Sequence, residues 1–169
     1  MKKVNLLTLI LAMVLMLSLF ACSDDKSGGD GATNPDDEAP VLTEVLAAIN
    51  KDAGIEDADM KPIENADGLN LYYSIDTADV KQMAAERAIN SSEDITEIVL
   101  VEAVDKDAAT RVYDNLVLRY DSQKDLCSSY SPEFVATISE CEVVQDGNFV
   151  SMIICDDYDT AKATYDSFF

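Results

Sequence analysis

The sequence of 169 residues contains no histidine and no tryptophan, and only 12 of its residues are lysine or arginine. Without histidine the chain cannot form a Ser-His-Asp or Cys-His catalytic arrangement, and it offers no imidazole ligand to a metal ion. The shortage of cations leaves a formal net charge of −21. Because such a charge repels polyphosphates, the composition argues against a nucleic-acid partner.

The 33 acidic residues are spread along the chain rather than grouped. Dispersed acids are typical of a solvated exterior, and a surface that binds a cation or a cationic ligand is the alternative. Asp105-Lys106-Asp107 and Asp156-Asp157-Tyr158-Asp159 carry closely spaced acids but lack the loop of a calcium site. We expect both segments to begin helices, where carboxylates are favourable. The sequence thus predicts no metal site and no cofactor.

Three cysteines, Cys127, Cys141 and Cys155, lie 14 residues apart and form no Cys-x-x-Cys motif of a zinc or redox site. Cys141 and Cys155 flank a predicted hairpin with Asp146-Gly147 as its two-residue turn. Because side chains alternate along a strand, these two cysteines should point to opposite faces of the sheet. We therefore expect buried free thiols rather than a disulfide.

The first 22 residues have the three parts of a secretory signal peptide. Lys2 and Lys3 form the positive region, and an apolar stretch follows from Val4 to Phe20. An uncleaved transmembrane helix is the alternative, because the stretch is about long enough to span a bilayer of ~30 Å. The acidic Ser23-Asp24-Asp25 that comes next, without a basic cluster, favours the signal peptide.

The apolar stretch ends in Leu19-Phe20-Ala21-Cys22, which resembles the lipobox of bacterial lipoproteins. This resemblance implies cleavage before Cys22 and attachment of a diacylglyceryl group to its thiol. Each CH₂ of a buried acyl chain, such as palmitate, contributes about 0.8 kcal/mol to membrane binding. Cleavage would remove two of the 12 cations and none of the 33 acids, which takes the formal charge from −21 to −23. We expect a lipid-anchored protein on the extracytoplasmic face of a bacterial membrane.

Residues 22–40 are predicted to form the lipidated cysteine and a flexible acidic tether, because 23–40 are polar and rich in glycine, proline and aspartate. As a flexible coil these 18 residues span roughly 20–25 Å. The remaining residues, 41–169, are enough for one hydrophobic core and short for two. The predicted organisation is a signal peptide at 1–21, a tether and one globular domain.

Hydrophobic periodicity predicts an α+β domain, with a mainly antiparallel sheet of about four strands and helices packed on one face. The predicted order is α-β-α-β-α-α-β-β-α. The segments are a helix from Val41 to about Gly54, a strand at Leu69–Ile75, a helix from an N-cap at Thr77 to about Ala88, a strand at Ile95–Val104, a long helix capped by Asp105 or Asp107 and running to about Leu126, a short helix opened by Pro132, a hairpin at 142–155 and a last helix at 157–168.

The lipobox, the acidic tether and the segment order are similar to those of the bacterial lipoproteins grouped as DUF4358. The similarity covers roughly Val41 to Phe169. Because the function of this family is unknown, the resemblance implies no activity, ligand or catalytic residue. The matching motifs are Leu71-Tyr72 through Ile75-Asp76, Glu97-Ile98-Val99, Arg119-x-x-x-Gln123, Tyr130-x-Pro132 and Gly147-Asn148-Phe149-Val150.

Arg119 and Gln123 continue an apolar stripe formed by Val112 and Leu116 on the predicted long helix. A buried arginine needs a partner, so we expect an internal ion pair, with Asp76 as the candidate at the end of the first predicted strand. The alternative is a pocket in which the guanidinium holds a carboxylate or phosphate of a ligand by two hydrogen bonds.

Tyr130 is the remaining candidate residue. In the segment Tyr130-Ser131-Pro132 it is either a hydrogen-bonding aromatic residue of a ligand-facing loop or the lead-in of a helix, with its ring over the edge of the core. The sequence favours the second interpretation.

These observations favour a non-catalytic, surface-tethered module that binds an envelope protein, a peptide or a small molecule. One alternative is a histidine-independent hydrolase of envelope material, in which Ser128, Ser129 or a pair of carboxylates would act. Two close carboxyl groups in a deep cleft would favour that enzyme. Another alternative is a structural or assembly factor without a ligand. No catalytic residue is predicted.

Overall fold

The computed structural model describes residues 39–55 and 58–169. The predictions made for residues 1–38, including the signal peptide and the lipidation of Cys22, lie outside the described residues. Across the two described ranges, no helix combines the length and the apolar character that crossing a membrane requires. The described residues have the predicted α+β architecture, with one antiparallel sheet.

The sheet contains one strand more than the four predicted. The strands are β1 (Met60–Pro62), β2 (Val80–Ala88), β3 (Glu97–Ala103), β4 (Glu142–Asp146) and β5 (Phe149–Ile154). Their order in the sheet is β1-β2-β3-β5-β4, and every neighbouring pair is antiparallel. The additional strand is the three-residue edge strand β1, which is too short to produce a periodic signal in the sequence.

Helices surround this sheet. Within the described ranges the α-helices are α1 (Leu42–Asp52), α2 (Ala66–Tyr73), α3 (Lys106–Tyr130), α4 (Val135–Glu140) and α5 (Tyr158–Asp166), and short 3₁₀ helices span Thr77–Asp79 and Pro132–Phe134. The first helix, the long helix, the helix opened by Pro132 and the last helix lie where the sequence predicted them. The long helix extends one turn beyond the predicted end at Leu126.

The helices cover both faces of the sheet, so the prediction that they pack on one face is wrong. On one face, α1 and α5 bury Ile98 and Leu100 of β3. On the other face, α2, α3 and α4 bury Val99 and Val101 of the same strand. The physical reason lies in β3 itself. Its apolar residues run without alternation, so both of its faces are apolar and both need a cover.

The predicted strand at Leu69–Ile75 is also wrong, because these residues belong mostly to α2. The Asn65 side chain caps this helix by accepting a hydrogen bond from the backbone N–H of Gly68, at 3.1 Å. Ser74 ends it with a left-handed φ of 58°. Gly68, the residue before the predicted strand, therefore lies in the first turn of a helix.

The predicted helix from Thr77 to Ala88 is also wrong, because most of these residues form a strand. Only Thr77–Asp79 form a helical turn, and its cap is Asp76, whose side chain accepts from the N–H of Ala78 at 2.9 Å. The rest is β2. Its methionine, glutamine, alanine and arginine residues favour helices in isolation. Pairing with β1 on one edge and β3 on the other outweighs that preference.

The acidic caps and the thiols agree with the sequence analysis. Asp105 and Asp157 begin α3 and α5 and accept hydrogen bonds from the first turn of each helix. The thiols of Cys127, Cys141 and Cys155 are free and buried. Cys141 lies in the core under α3 and Cys155 in the core under α1, on opposite faces as predicted.

The hairpin turn itself is displaced by one residue from its predicted position. Asp146 pairs with Phe149, so the two turn residues are Gly147 and Asn148 rather than Asp146 and Gly147. Gly147 has a φ of +57°, which glycine adopts without strain.

We expect Leu69→Ala to lower the free energy of unfolding by about 2–5 kcal/mol, because Leu69 is completely buried in α2. Leu71→Ala is the matched control. Leu71 is 75% exposed, and its replacement should change the free energy by less than about 0.5 kcal/mol. In a strand the two side chains would share one face and lose similar amounts. Denaturant unfolding of both variants measures the difference, and equal losses would contradict the helix.

Candidate functional site

A buried ion pair joins α3 to the start of the central strand. Glu97, the first residue of β3, is only 3% exposed. Arg119 donates from Nε to Oε1 of Glu97 at 2.9 Å and from Nη2 to Oε2 at 2.7 Å. Gln123 donates a third hydrogen bond to Oε2 at 3.0 Å. The bidentate pair and the amide together compensate for removing this carboxylate from water.

The local sequence explains why these groups meet. Arg119 and Gln123 lie one helical turn apart on the stripe that begins with the buried Val112 and Leu116. Glu97 shares the parity of Val99 in β3 and therefore points to the same face of the sheet, toward α3. The arginine thus has an internal partner, but the predicted partner is wrong.

Asp76, the predicted partner, caps the 3₁₀ turn that precedes β2 and is exposed. Sequence analysis did not identify Glu97 as the partner, because it considered only the apolar residues of this predicted strand. Glu97 shares the parity of Val99, and this pattern in the sequence places a charged residue on an otherwise apolar face. Tyr130 also lies elsewhere: it ends α3 and is 81% exposed. The structure therefore brings Arg119 and Gln123 together at Glu97, whereas Asp76 and Tyr130 lie elsewhere.

Tyr73 lies beside this ion pair. Its ring centroid is 6.0 Å from Cζ of Arg119, and its hydroxyl is buried near the carboxylate of Glu97. Burial, and then the negative charge of Glu97 and the hydrogen bond that it accepts from the hydroxyl, raise the pKa of Tyr73. The phenol therefore stays protonated and is a hydrogen-bond donor at neutral pH. Burial opposes the charge on Arg119, but the hydrogen bonds and charge of Glu97 prevail and raise the pKa of Arg119.

A second arginine faces the same carboxylate. Arg87 of β2 is the cross-strand partner of Glu97, and its Cζ lies 4.8 Å from the ring centroid of Tyr72. Its Nε is buried and has no hydrogen-bond partner among the described residues. We call Tyr73, Arg87, Glu97, Arg119 and Gln123 the Arg119 cluster.

Two cavities meet at Arg119. A small one of about 20 Å³ has two cations and two carboxylates in its lining and has room for about one water molecule. These charged residues are Arg87, Asp94, Glu97 and Arg119, and Gln123 lies beside them. A larger surface groove of about 240 Å³ lies between α2 and α3, with Arg119 and Tyr73 in its lining. We call it the α2–α3 groove. The residues that line it are Tyr72, Tyr73, Ser74, Asn115, Leu118, Arg119 and Ser122.

Another cavity, of about 360 Å³, shares Asp94 with the small one and is lined partly by acids, among them Asp94 and Asp157. Both already accept protein hydrogen bonds, Asp94 from Thr96 and Asp157 from the N–H of Thr160. Burial raises the pKa of Cys155, which also lines this cavity, to about 12. The thiol is therefore a poor nucleophile at neutral pH. Among the residues with described positions, no three histidine, cysteine or acidic side chains could together hold a metal ion.

A second polar cluster lies at the other end of β3, on the face covered by α1. The amide of Gln82 donates to Oε2 of Glu102 at 2.7 Å and to the carbonyl of Pro40 at 2.9 Å, and its oxygen accepts from the N–H of Leu42 at 3.1 Å. Lys81 completes the cluster with an ion pair to Glu102 at 2.6 Å. Gln82 thus ties the start of the domain to β2.

Comparison with known proteins gives one match. The family model described as Domain of unknown function (DUF4358) matches residues 53–155, a narrower range than the 41–169 expected from sequence. The matched residues contain the whole sheet and the Arg119 cluster. No curated protein and no solved structure matches the chain.

We expect Arg119→Met to lower the free energy of unfolding by about 3–5 kcal/mol at neutral pH, because it leaves the buried Glu97 without its cation. Denaturant unfolding of the variant and of the wild-type chain at neutral pH provides the test.

Arg111→Met is the control for this experiment. Arg111 forms the same bidentate geometry with Asp79, at 2.9 and 2.6 Å, but more than half of its side chain is exposed. Asp79 is itself buried, but solvent screens the exposed guanidinium of this pair, so its loss should be smaller than that of Arg119. Equal deficits in the two variants would contradict the role assigned to burial.

Proposed function

The chain belongs to the DUF4358 family of domains of unknown function, and we propose that it is a lipoprotein held on the extracytoplasmic face of a bacterial membrane by lipid on Cys22. Its domain, residues 41–169, then acts as a non-catalytic module that binds an envelope protein, a peptide or a small molecule. The observation that carries the proposal is the N-terminal pattern, in which Lys2 and Lys3, an apolar stretch and Leu19-Phe20-Ala21-Cys22 lead into an acidic segment.

Charge supports a lipid as the means of attachment. After cleavage before Cys22 the chain would carry a formal charge of −23, because both lysines of the signal peptide are lost and all 33 acids remain. Such a charge opposes adhesion to anionic lipid head groups. Two buried acyl chains would provide firm attachment where one chain is marginal.

The start of the domain is suited to carry such a tether. Pro40, the last residue of the predicted tether, and Leu42, which follows the tether, are hydrogen-bonded to the Gln82 side chain in β2. Gln82 is in turn held by the buried Glu102. A tether attached here leaves the domain from a fixed point of the sheet rather than from a loose end.

The arrangement of acids and thiols supports a binding role over catalysis. In the cavity of about 360 Å³, Asp94 and Asp157 serve as acceptors for a turn and a helix start. The Cys155 thiol in that cavity is held in its neutral form by burial. By contrast, Arg119 lines an open groove and has N–H donors that Glu97 does not use, which suits recognition of a ligand.

We expect Cys22→Ala to abolish incorporation of an alkyne-labelled palmitate and to move the full chain out of the membrane fraction in a bacterial host. Cys127→Ala, which changes a buried thiol in α3, is the matched control and should keep both label and membrane fractionation. Label retained by Cys22→Ala, or an unlabelled wild-type chain that keeps its first 21 residues by mass, would refute the anchor.

A further inference from the structure

We propose that the contact between Glu86 of β2 and Asn50 of α1 is a pH-sensitive latch, which holds the end of α1 to the sheet firmly when the carboxyl group is protonated and loosely when it is ionised. The latch controls how firmly residues 53–55 are held, and these residues form part of the lining of the cavity of about 360 Å³. This inference goes beyond the proposed binding function and depends on neither a lipid nor a ligand.

Glu86 is a buried carboxyl group on the face of the sheet that α1 covers. It is 9% exposed and lies directly opposite Ile98 of β3, which packs in the core under α1. The two buried glutamates of β3, Glu97 and Glu102, are each paired with a cation. Glu86 instead accepts its side-chain hydrogen bond from a neutral amide, that of Asn50. Its negative charge is therefore less well compensated than theirs.

The amide of Asn50 has one group bonded to this carboxyl and one that lacks a donor. Its Nδ2 donates to Oε1 of Glu86 at 2.7 Å. Its Oδ1 is buried and has no donor among the described residues. An amide and a carboxylate share one hydrogen bond, whereas an amide and a carboxylic acid can share two, because the acid has an O–H. Protonation of Glu86 would therefore add the donor that Oδ1 of Asn50 needs.

The charged groups on the elements around Glu86 do not neutralise it, and it forms no ion pair with any of the described residues. Glu102 shares its face of the sheet but is paired with Lys81. The charged residues of α1 are all exposed: Glu44, Lys51 and Asp52. By strand parity, three charged residues of the sheet belong to the other face: Lys61, Arg87 and Glu97. Burial therefore decides the charge state of Glu86.

Burial raises the pKa of Glu86, and the hydrogen bond from Asn50 only partly opposes that rise. Asn50 lies in the last turn of α1, where the negative end of the helix dipole also disfavours a carboxylate. The folded chain therefore binds this proton more tightly than the unfolded chain does. The resulting stabilisation is complete below about 4.3, the ordinary pKa of glutamate, and is lost as the pH rises through the raised pKa. The latch is thus firm in acid and loose at higher pH.

The latch acts on the segment that follows α1. The backbone carbonyl of Asn50 accepts a hydrogen bond from the N–H of Ile55 at 2.7 Å, so the position of Asn50 also sets that of Ile55. Residues 53–55 line the cavity of about 360 Å³. The start of α1 is held separately, because the N–H of Leu42 is bonded to a side chain of β2. Ionisation of Glu86 should therefore loosen the end of α1 and this part of the cavity lining, while the start of the helix stays in place.

The experiment uses the full chain, isotopically labelled and purified in detergent, and measures amide hydrogen exchange by NMR from about pH 4 to about pH 7.5, on both sides of the ordinary pKa of glutamate. After correction for intrinsic exchange, the protection of the Ile55 amide should fall about three- to tenfold as the pH rises, which corresponds to the loss of one hydrogen bond. The protection of the Leu42 amide should not change. In the same samples, the Cδ signal of Glu86 should titrate at a pH above about 4.3.

Glu86→Gln keeps the shape of the side chain and offers an N–H to Asn50, but it cannot ionise. In this variant the protection of Ile55 should be independent of pH. Glu44→Gln removes an exposed acid from the same helix and is the matched control, which should keep the pH dependence of the wild-type chain. Protection of Ile55 that does not depend on pH in the wild-type chain, a pH dependence that persists in Glu86→Gln, equal losses at Ile55 and Leu42, or titration of Glu86 at or below about 4.3 would each overturn the latch.

Discussion

The structure depends on the complete burial of β3. All seven of its residues are buried, yet two of them are glutamates, Glu97 at 3% and Glu102 at 4% exposed. They lie five positions apart and so point to opposite faces of the sheet. Each carboxylate must be compensated on its own side, by Arg119 and Gln123 on one face and by Lys81 and Gln82 on the other. These contacts fix α3 and the start of the domain relative to the central strand.

The two glutamates also specify the register of the sheet. Buried ion pairs contribute little net stability compared with apolar residues of similar size, but breaking one is expensive. A slip of β3 by one residue would turn Glu97 away from Arg119 and Glu102 away from Gln82, leaving two buried charges without partners. The apolar run between them, Ile98 to Val101, would tolerate the slip because it is apolar on both faces. The charges therefore supply the specificity that the apolar residues lack.

Sequence analysis succeeded where local chemistry decides the structure and failed where partners distant in the chain decide it. Asp105 and Asp157 were predicted as caps because a cap acts within one turn. Sequence analysis predicted a strand where α2 lies and a helix where β2 lies. The second error arose because β2 is built from residues that favour helices, and only its pairing with β1 and β3 makes it extended. In the candidate site, the pattern on α3 predicted that Arg119 needs a buried partner. It could not identify Glu97, because a stripe on one helix carries no information about the strand that packs against it.

Sequence analysis treated an internal ion pair and a ligand pocket at Arg119 as alternatives. The two are compatible, because the ion pair uses only some of the hydrogen-bond donors of Arg119. Glu97 engages Nε and one Nη2 hydrogen of Arg119, which fixes the plane of the guanidinium while its other donors remain available. An arginine held in this way loses little side-chain entropy when it binds a ligand, since the fold has already ordered it. The ion pair that compensates the buried strand is therefore also what would preorganise the α2–α3 groove.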